Sequence, residues 1–323
     1  MSKCATQSRV THSAGRHCAS SAIRDLLEFN GLDISEAMCF GLGSGLGVTY
    51  LDLADAPVPF LVHVRSLGFE ERVFQSIGVP FEWKTFESPE SAVALLGDRL
   101  DAGHPTLLLT DIFHLPYFGS TTHFPGHAIA AWSRNPETGD VLVTDTERPD
   151  VLSVTEEALT RARFSTQPPF VHHGNMFTPG SFQGEITPEI ITNVIHYNAK
   201  ALAANGISAL ETWLADLGRW KATGDWRWTT RFAYQVIEKR GTGGGGFRKM
   251  YAEFLDEAVH YDAGILLHRL PLLMRASEKT WSELAACLKS ASEGAHFPDA
   301  AIADAISAVM KAERNYADAA LAF

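Results

Sequence analysis

Apolar residues recur with a helical period across Cys18–Asn30, placing Ile23, Leu26, Leu27 and Phe29 on one face, and Gly31 follows as a stop signal. Ser88–Ala102 repeats the pattern with Val93, Leu95, Leu96 and Leu100 turned inward. The period then shortens. Thr106–Thr110, His127–Trp132 and Val141–Thr144 are apolar runs of strand length, and Phe60–Val64 is another short apolar stretch. The intervening SRNPETGD carries turn-forming Asn-Pro and Thr-Gly-Asp elements, so Ala128–Thr144 predicts an antiparallel hairpin. Gln167–Gly184, rich in proline and glycine, reads as a connecting loop. From Thr187 the pattern is helical nearly throughout, with segments near 187–204, 207–221, 229–240, 247–268, 276–292 and 298–320. Pro188, Pro271 and Pro298 fall at segment starts or breaks, where a missing N–H costs least.

The 323 residues exceed the roughly 150 of a typical domain. Together with the patterning, this predicts two domains: an α+β domain with an antiparallel sheet over 1–175, and a mainly α-helical one over 176–323. Hydrophobic residues make up 46% and charged residues 20%, as in soluble globular chains. No run approaches the roughly 20 apolar residues that span a bilayer. The N-terminus lacks a secretory signal's apolar core, so a cytoplasmic location without membrane association is expected. A net charge of −11 argues against nucleic acid as a partner. Residues 1–180 hold 12 basic against 21 acidic side chains, a balance suited to an amine-bearing substrate. The apolar Tyr261–Met274 stretch, with Leu266, Leu267, Leu270, Leu272 and Leu273, offers a face for a homo-oligomer.

Four scattered cysteines, Cys4, Cys18, Cys39 and Cys287, form neither a CxxC pair nor a disulfide framework. Cys39 and Cys287 lie among apolar neighbours, as buried inert thiols do, and Cys4 lies near the N-terminus. Cys18 opens a helix, where the partial positive charge of the N-terminus favours the thiolate. His127 stands at the mouth of one hairpin strand and Asp145 at the end of the other. The hairpin therefore brings them to the same end, where the carboxylate can orient and stabilise the imidazole. Each residue alone has a plainer reading: a small residue in the first helical turn, a turn residue, a capping carboxylate. In combination they outline a Cys-His-Asp triad.

The remaining candidates are weaker. Asp111 precedes an aromatic loop and suits either a substrate amine or a capped backbone. His123 and His127 form an HxxxH pair, with His114, His172 and His173 further along. The pair lacks the HExxH glutamate and is broken by Pro-Gly, so neither a metal nor another cofactor is expected. The Gly41–Gly47 run follows no strand and reads as a tight backbone crossing near the Cys18 helix rather than a nucleotide loop. Arg219–Lys249 contains eight basic residues against Asp225 and Glu238, interleaved with Trp220, Trp226, Trp228 and Phe232. Arg240, Gly243, Gly244 and Arg248 there suit a phosphate group, as on a phosphopantetheine arm, or the surface of an acidic protein. The alternative is a solvated basic face beside a helix connector.

Several of these stretches carry a family resemblance. His17-Cys18 opening a helix, Phe40-Gly-Leu-Gly43-Ser-Gly-Leu46, Ala102-Gly103-His-Pro105-Thr-Leu, Asp111-Ile-Phe-His-Leu115-Pro-Tyr117, Gly126-His127-Ala and Val143-Thr-Asp145 occur in order. Over roughly 15–165 the chain resembles the N-terminal domain of butirosin biosynthesis protein H. Over roughly 180–320 it is similar to the helical domain that follows, through Arg240-Gly-Thr-Gly243-Gly-Gly-Gly-Phe247-Arg248 and Phe254-Leu-Asp-Glu-Ala. The resemblance implies a papain-like cysteine-enzyme fold like that of bacteriocin-leader peptidases. It also implies acyl transfer from a carrier-protein or other thioester, through acyl-Cys18, to an amine-bearing small molecule. His127 would be base and acid, and Asp145 would orient it. Papain-like enzymes place an oxyanion-binding glutamine several residues before the nucleophile. Here His12 holds the sixth position before Cys18 and the nearest glutamine is Gln7, so His12 or the Cys18 N–H with another donor would serve. His17, Asp111, Tyr117 and His123 are the remaining oxyanion or substrate-binding candidates. A cysteine peptidase or amidase with the same triad is the alternative, followed by a non-catalytic carrier-binding protein.

Overall fold

A computed structural model describes residues 10–53, 58–168 and 170–323; Cys4 and Gln7 lie outside the described residues. Among the described residues the strands are β1 (Leu46–Asp52), β2 (Phe60–Arg65), β3 (Thr106–Thr110), β4 (His127–Arg134), β5 (Val141–Thr144), β6 (Leu152–Val154) and β7 (Met176–Phe177). The chain forms two compact units, residues 1–39 with 78–184 and residues 40–77 with 185–323. The sequence pattern places a single boundary at 175/176. The contacts instead group residues 40–77 with the helical half, and leave 176–184 with the first unit.

The first unit is α+β, built on a five-stranded antiparallel sheet in the order β6-β5-β4-β3-β7. The expected hairpin is β4–β5, pinned by Trp132, whose indole N–H donates to Thr144 Oγ1 at 2.9 Å. The stretch expected to be a mere connector supplies β7, which pairs with β3 through Met176 and Phe177 and completes the sheet. Side chains alternate along β4. Ile129 and Ala131 enter a core with Leu96, Leu100, Leu108, Val143 and Leu159, under the helices Pro89–Asp101 and Glu156–Arg163. The opposite face carries the helix Cys18–Phe29, where Phe29 meets Trp132 edge-on at 5.9 Å. That helix is buried nearly all round, Arg24 and Asp25 included, rather than along one stripe.

The second unit is mainly helical, with long helices at Pro188–Ala201, Trp226–Glu238, Leu270–Glu293 and Asp299–Leu321. The predicted 247–268 segment is interrupted, helical over Arg248–Ala258 and again over Gly264–Leu267. The next helix begins at Leu270, earlier than expected, with Pro271 in its first turn. The β1–β2 hairpin belongs here, anchored by stacked Tyr50, Phe60, Trp220 and Trp213. The glycines of the 41–47 run mark close approaches within this unit. A Cβ on Gly41 would lie 2.1 Å from the Phe254 ring, and one on Gly43 would lie 2.3 Å from Phe69. Leu266, Leu267 and Leu272 are exposed, whereas Leu270 is buried and Leu273 half-buried. No helix among the described residues is long and apolar enough to cross a membrane.

Candidate active site

Cys18 is the first residue of its helix and is half-buried, so its sulfur is not sealed in the core. The preceding turn is held from two sides. His17 caps the helix, its Nδ1 accepting from the Ser20 N–H at 3.2 Å. The buried Glu36 carboxylate accepts from the backbone N–H groups of Arg16 and His17 at 3.0 and 2.8 Å. His17 thus has a structural place at the helix start, and Glu36 is an anchor no spacing motif announces.

His127 begins β4 opposite Thr110, whose hydroxyl donates to the His127 carbonyl at 3.0 Å. Asp145 follows the last residue of β5. Both carboxylate oxygens lie 2.9 Å from His127 Nε2, and Cys18 hydrogen-bonds the same ring. Residues separated by more than a hundred positions therefore converge. Burial alone would lower the His127 pKa, but the charge of Asp145, its hydrogen bond and the Cys18 sulfur raise it to about 10. Burial pushes the other way on Asp145, and the His127 imidazolium outweighs it, holding the carboxyl below its ordinary range. Cys39 is fully buried, with its thiol pKa pushed up by desolvation. Cys287, expected to be buried, is only half-buried, and burial raises its pKa too.

Tyr117, one of the oxyanion or substrate-binding candidates, lies against the Asp145 carboxylate. Its hydroxyl donates to Asp145 Oδ2 at 2.7 Å, while Thr146 Oγ1 donates to Oδ1 at 2.9 Å. Phe118 packs edge-on against the His127 ring, and the Arg148 guanidinium lies 4.2 Å from the Phe118 ring centroid and 5.1 Å from that of Tyr117. Arg148, Thr146 and Phe118 escaped the sequence reading because aromatic and arginine residues in loops carry no spacing signal.

The oxyanion role expected of His12 is not open to it. Its Nδ1 lies 2.5 Å from Asp25 Oδ2 and its Nε2 donates to the Arg148 carbonyl at 2.7 Å, so both ring nitrogens are engaged. His12 instead ties the helix of Cys18, through Asp25, to the loop after Asp145. Gly15 N donates to Thr146 O at 2.6 Å alongside. Burial favours neutral His12, but the Asp25 carboxylate and the Arg148 carbonyl prevail and raise its pKa above 6.5. A raised folded pKa means this tie contributes fully below about pH 6.5 and is lost as pH rises through the folded value. His12→Gln is expected to cost about 1.5–3 kcal/mol at pH 6, with a smaller deficit at alkaline pH. Urea titrations of both proteins across pH check this; a deficit independent of pH contradicts it.

Asp111 is not free to receive a substrate amine by hydrogen bonding. Oδ1 accepts from the Phe113 and Phe124 N–H groups at 3.1 and 2.9 Å. Oδ2 accepts from Ser165 Oγ and His123 Nδ1, each at 2.7 Å. His123 accordingly points its Nδ1 at Asp111 rather than into the triad.

In the second unit, the proposed phosphate cradle is already occupied by the protein. Arg248 is fully buried against Glu313, and the Gly245 N–H donates to Glu238 Oε1 at 3.1 Å, so a carboxylate occupies the place a phosphate would take. Gly243 and Gly244 are half-buried turn residues with positive φ, and Arg240 pairs with Gln235 and the Phe232 ring. Arg219, Lys221 and Arg231 likewise pair with Asp216, Asp299 and Glu293. Four of the island's basic residues thus pair with carboxylates, and its Arg248 belongs to the core.

Residues 17–146 match the family described as Butirosin biosynthesis protein H, N-terminal, and residues 157–320 match Domain of unknown function (DUF4872). Cys18, His127 and Asp145 all fall within the first match. No curated protein matches the chain.

Proposed function

Because this chain belongs to the family that joins the N-terminal domain of butirosin biosynthesis protein H to that domain of unknown function, we propose that it is a papain-like cysteine acyltransferase of small-molecule biosynthesis. Its donor would be an acyl thioester, such as one borne by a carrier protein, and its acceptor an amine. The observation that carries this reading is the convergence of a half-buried thiol at a helix start with an imidazole whose other side is held by a buried carboxylate. A thiol beside an imidazole held protonated to about pH 10 has a counter-ion for its thiolate, the form that attacks.

The first half-reaction follows from this pairing. Cys18 Sγ attacks the thioester carbonyl carbon, forming a new C–S bond and pushing charge onto the oxygen. The donor's C–S bond then breaks, and the leaving thiolate takes a proton from His127. Exchanging one thioester for another is nearly balanced, so acyl-Cys18 is accessible. In the second half, neutral His127 accepts the proton of the incoming amine as nitrogen attacks. The Cys18 C–S bond breaks and an amide forms, a more stable acyl group that drains the intermediate. Asp145 stays ionised throughout, orienting the ring through Nε2.

The test is product analysis. Incubation with a pantetheine thioester and a panel of primary amines is expected to give the amide, with acyl mass on the intact protein that is absent from Cys18→Ala. Free acid accumulating despite abundant amine would establish hydrolysis and overturn transfer. No acyl mass on Cys18 with any donor would overturn covalent catalysis altogether.

A further inference from the structure

The loop between β3 and β4 gathers a second set of chemistry-bearing side chains apart from the triad. Asp111 at the end of β3 is fully buried, and His114 and His123 lie further along the same loop. One ligand-capable atom of each lies within 4.8 Å of those of the other two. We infer that Asp111, His114 and His123 form a binding site for a zinc ion, which the proposed transfer chemistry does not use.

Three observations carry this. First, a carboxylate with no exposed surface normally has a cationic partner or a metal. Among the described residues, the ion pair recorded for Asp111 is with His123, and no lysine or arginine neutralises it. Second, the donor set suits zinc, which takes imidazole nitrogen and carboxylate oxygen at about 2.0–2.2 Å. Two such ligands on a tetrahedral ion lie about 3.3 Å apart, somewhat more than the 2.7 Å between Asp111 Oδ2 and His123 Nδ1. The ion would replace the proton shared by these atoms with a shift of a few tenths of an ångström, and that proton leaves to solvent. Third, the ligands are already oriented. Asp111 Oδ1 is fixed by two backbone N–H groups and Oδ2 by Ser165, and Phe113 stacks on the His123 ring at 4.1 Å. His123 is exposed and His114 half-buried, so the ion can enter from the His123 side and keep a water as its remaining ligand.

The sequence conceals this set because His114 and His123 are nine positions apart on an irregular loop, a spacing found in no helix or ribbon motif. The consequence is local to the loop. Its two ends become tied around Tyr117 and Phe118, the residues that touch Asp145 and His127.

The experiment uses the full chain carrying Cys18→Ala, so that the triad's thiol cannot hold the ion and the outcome is independent of acyl transfer. Calorimetric titration with zinc is expected to give one ion per chain. Cobalt substitution should give visible ligand-field absorption without a thiolate-to-cobalt charge-transfer band. Adding His114→Ala should weaken binding about tenfold, and adding His123→Ala about a hundredfold, while His104→Ala changes nothing. Because both histidines lie on an irregular loop, His123 exposed and His114 half-buried, their replacement is expected to leave the fold intact, and thermal melting of each metal-free variant verifies this. Absence of binding, a thiolate band, or an unchanged dissociation constant in the His114→Ala, His123→Ala double variant would each overturn the site.

Discussion

Cys18→Ala is expected to lower amide formation from a thioester by about 10⁵–10⁶-fold, since a nucleophile and its base act as one unit. His127→Ala should fall in the same range, and combining the two should cost little more than either alone. Asp145→Asn keeps a hydrogen-bonding group at 2.9 Å from His127 but loses the charge that opposes desolvation, and a loss of about 10³–10⁴-fold follows. Tyr117→Phe removes one donor to Asp145 Oδ2, worth about 1 kcal/mol, or roughly fivefold. The graded series has a matching pH signature. Cys18 alkylation in the wild type should lose its imidazolium assistance only as pH rises through about 10, where His127 loses its proton. In Asp145→Asn that limb should move to lower pH. Single-turnover rates with a pantetheine thioester measure the series. Retention of more than a few per cent of the rate by Cys18→Ala would remove the sulfur from the mechanism.

What was legible in the chain differs between the two units for physical reasons. The triad could be read because each member sits at the end of a regular element. A helix start and the ends of a hairpin declare themselves by periodicity, and strand pairing then fixes which ends meet. Groups that hold the triad in place sit in loops, and nothing local distinguishes Glu36 or Arg148 from any surface charge. His12 shows the same limit from the other side. Its distance in sequence from Cys18 suggested an oxyanion donor, yet its ring is consumed by Asp25 and Arg148, which lies 136 residues away from it. The β1–β2 hairpin was missed as part of the helical unit because assignment by sequence order cannot foresee a discontinuous unit. β7, two residues long within a Pro/Gly-rich stretch, is too short to show alternation.

Arg248 is where composition misled most, and it yields the second large effect. In sequence it is one more cation beside a glycine tract. In the fold it is buried, with Nε donating to Glu313 Oε1 at 2.8 Å and a terminal N–H donating to the Val64 carbonyl of β2 at 3.1 Å. Its guanidinium lies 4.6 Å from the ring centroid of Trp281. Ser277 and Trp281 donate to the same Glu313 oxygen, at 2.5 and 2.7 Å. Burial raises the Glu313 pKa, but Arg248 outweighs it and keeps the carboxyl low. Arg248→Ala strands that buried anion and should destabilise the protein by about 3–5 kcal/mol, read as a lower urea midpoint and an earlier melt. A compensated Arg248→Met, Glu313→Leu pair should recover most of the loss, because the pair's attraction is largely offset by its desolvation. Arg240→Glu, at an exposed position, should change stability by no more than about 0.5 kcal/mol. The reverse pattern, with Arg248→Ala as stable as wild type but a sharply raised KM for a carrier-borne donor, would return this arginine to the phosphate-binding role its sequence neighbourhood suggests.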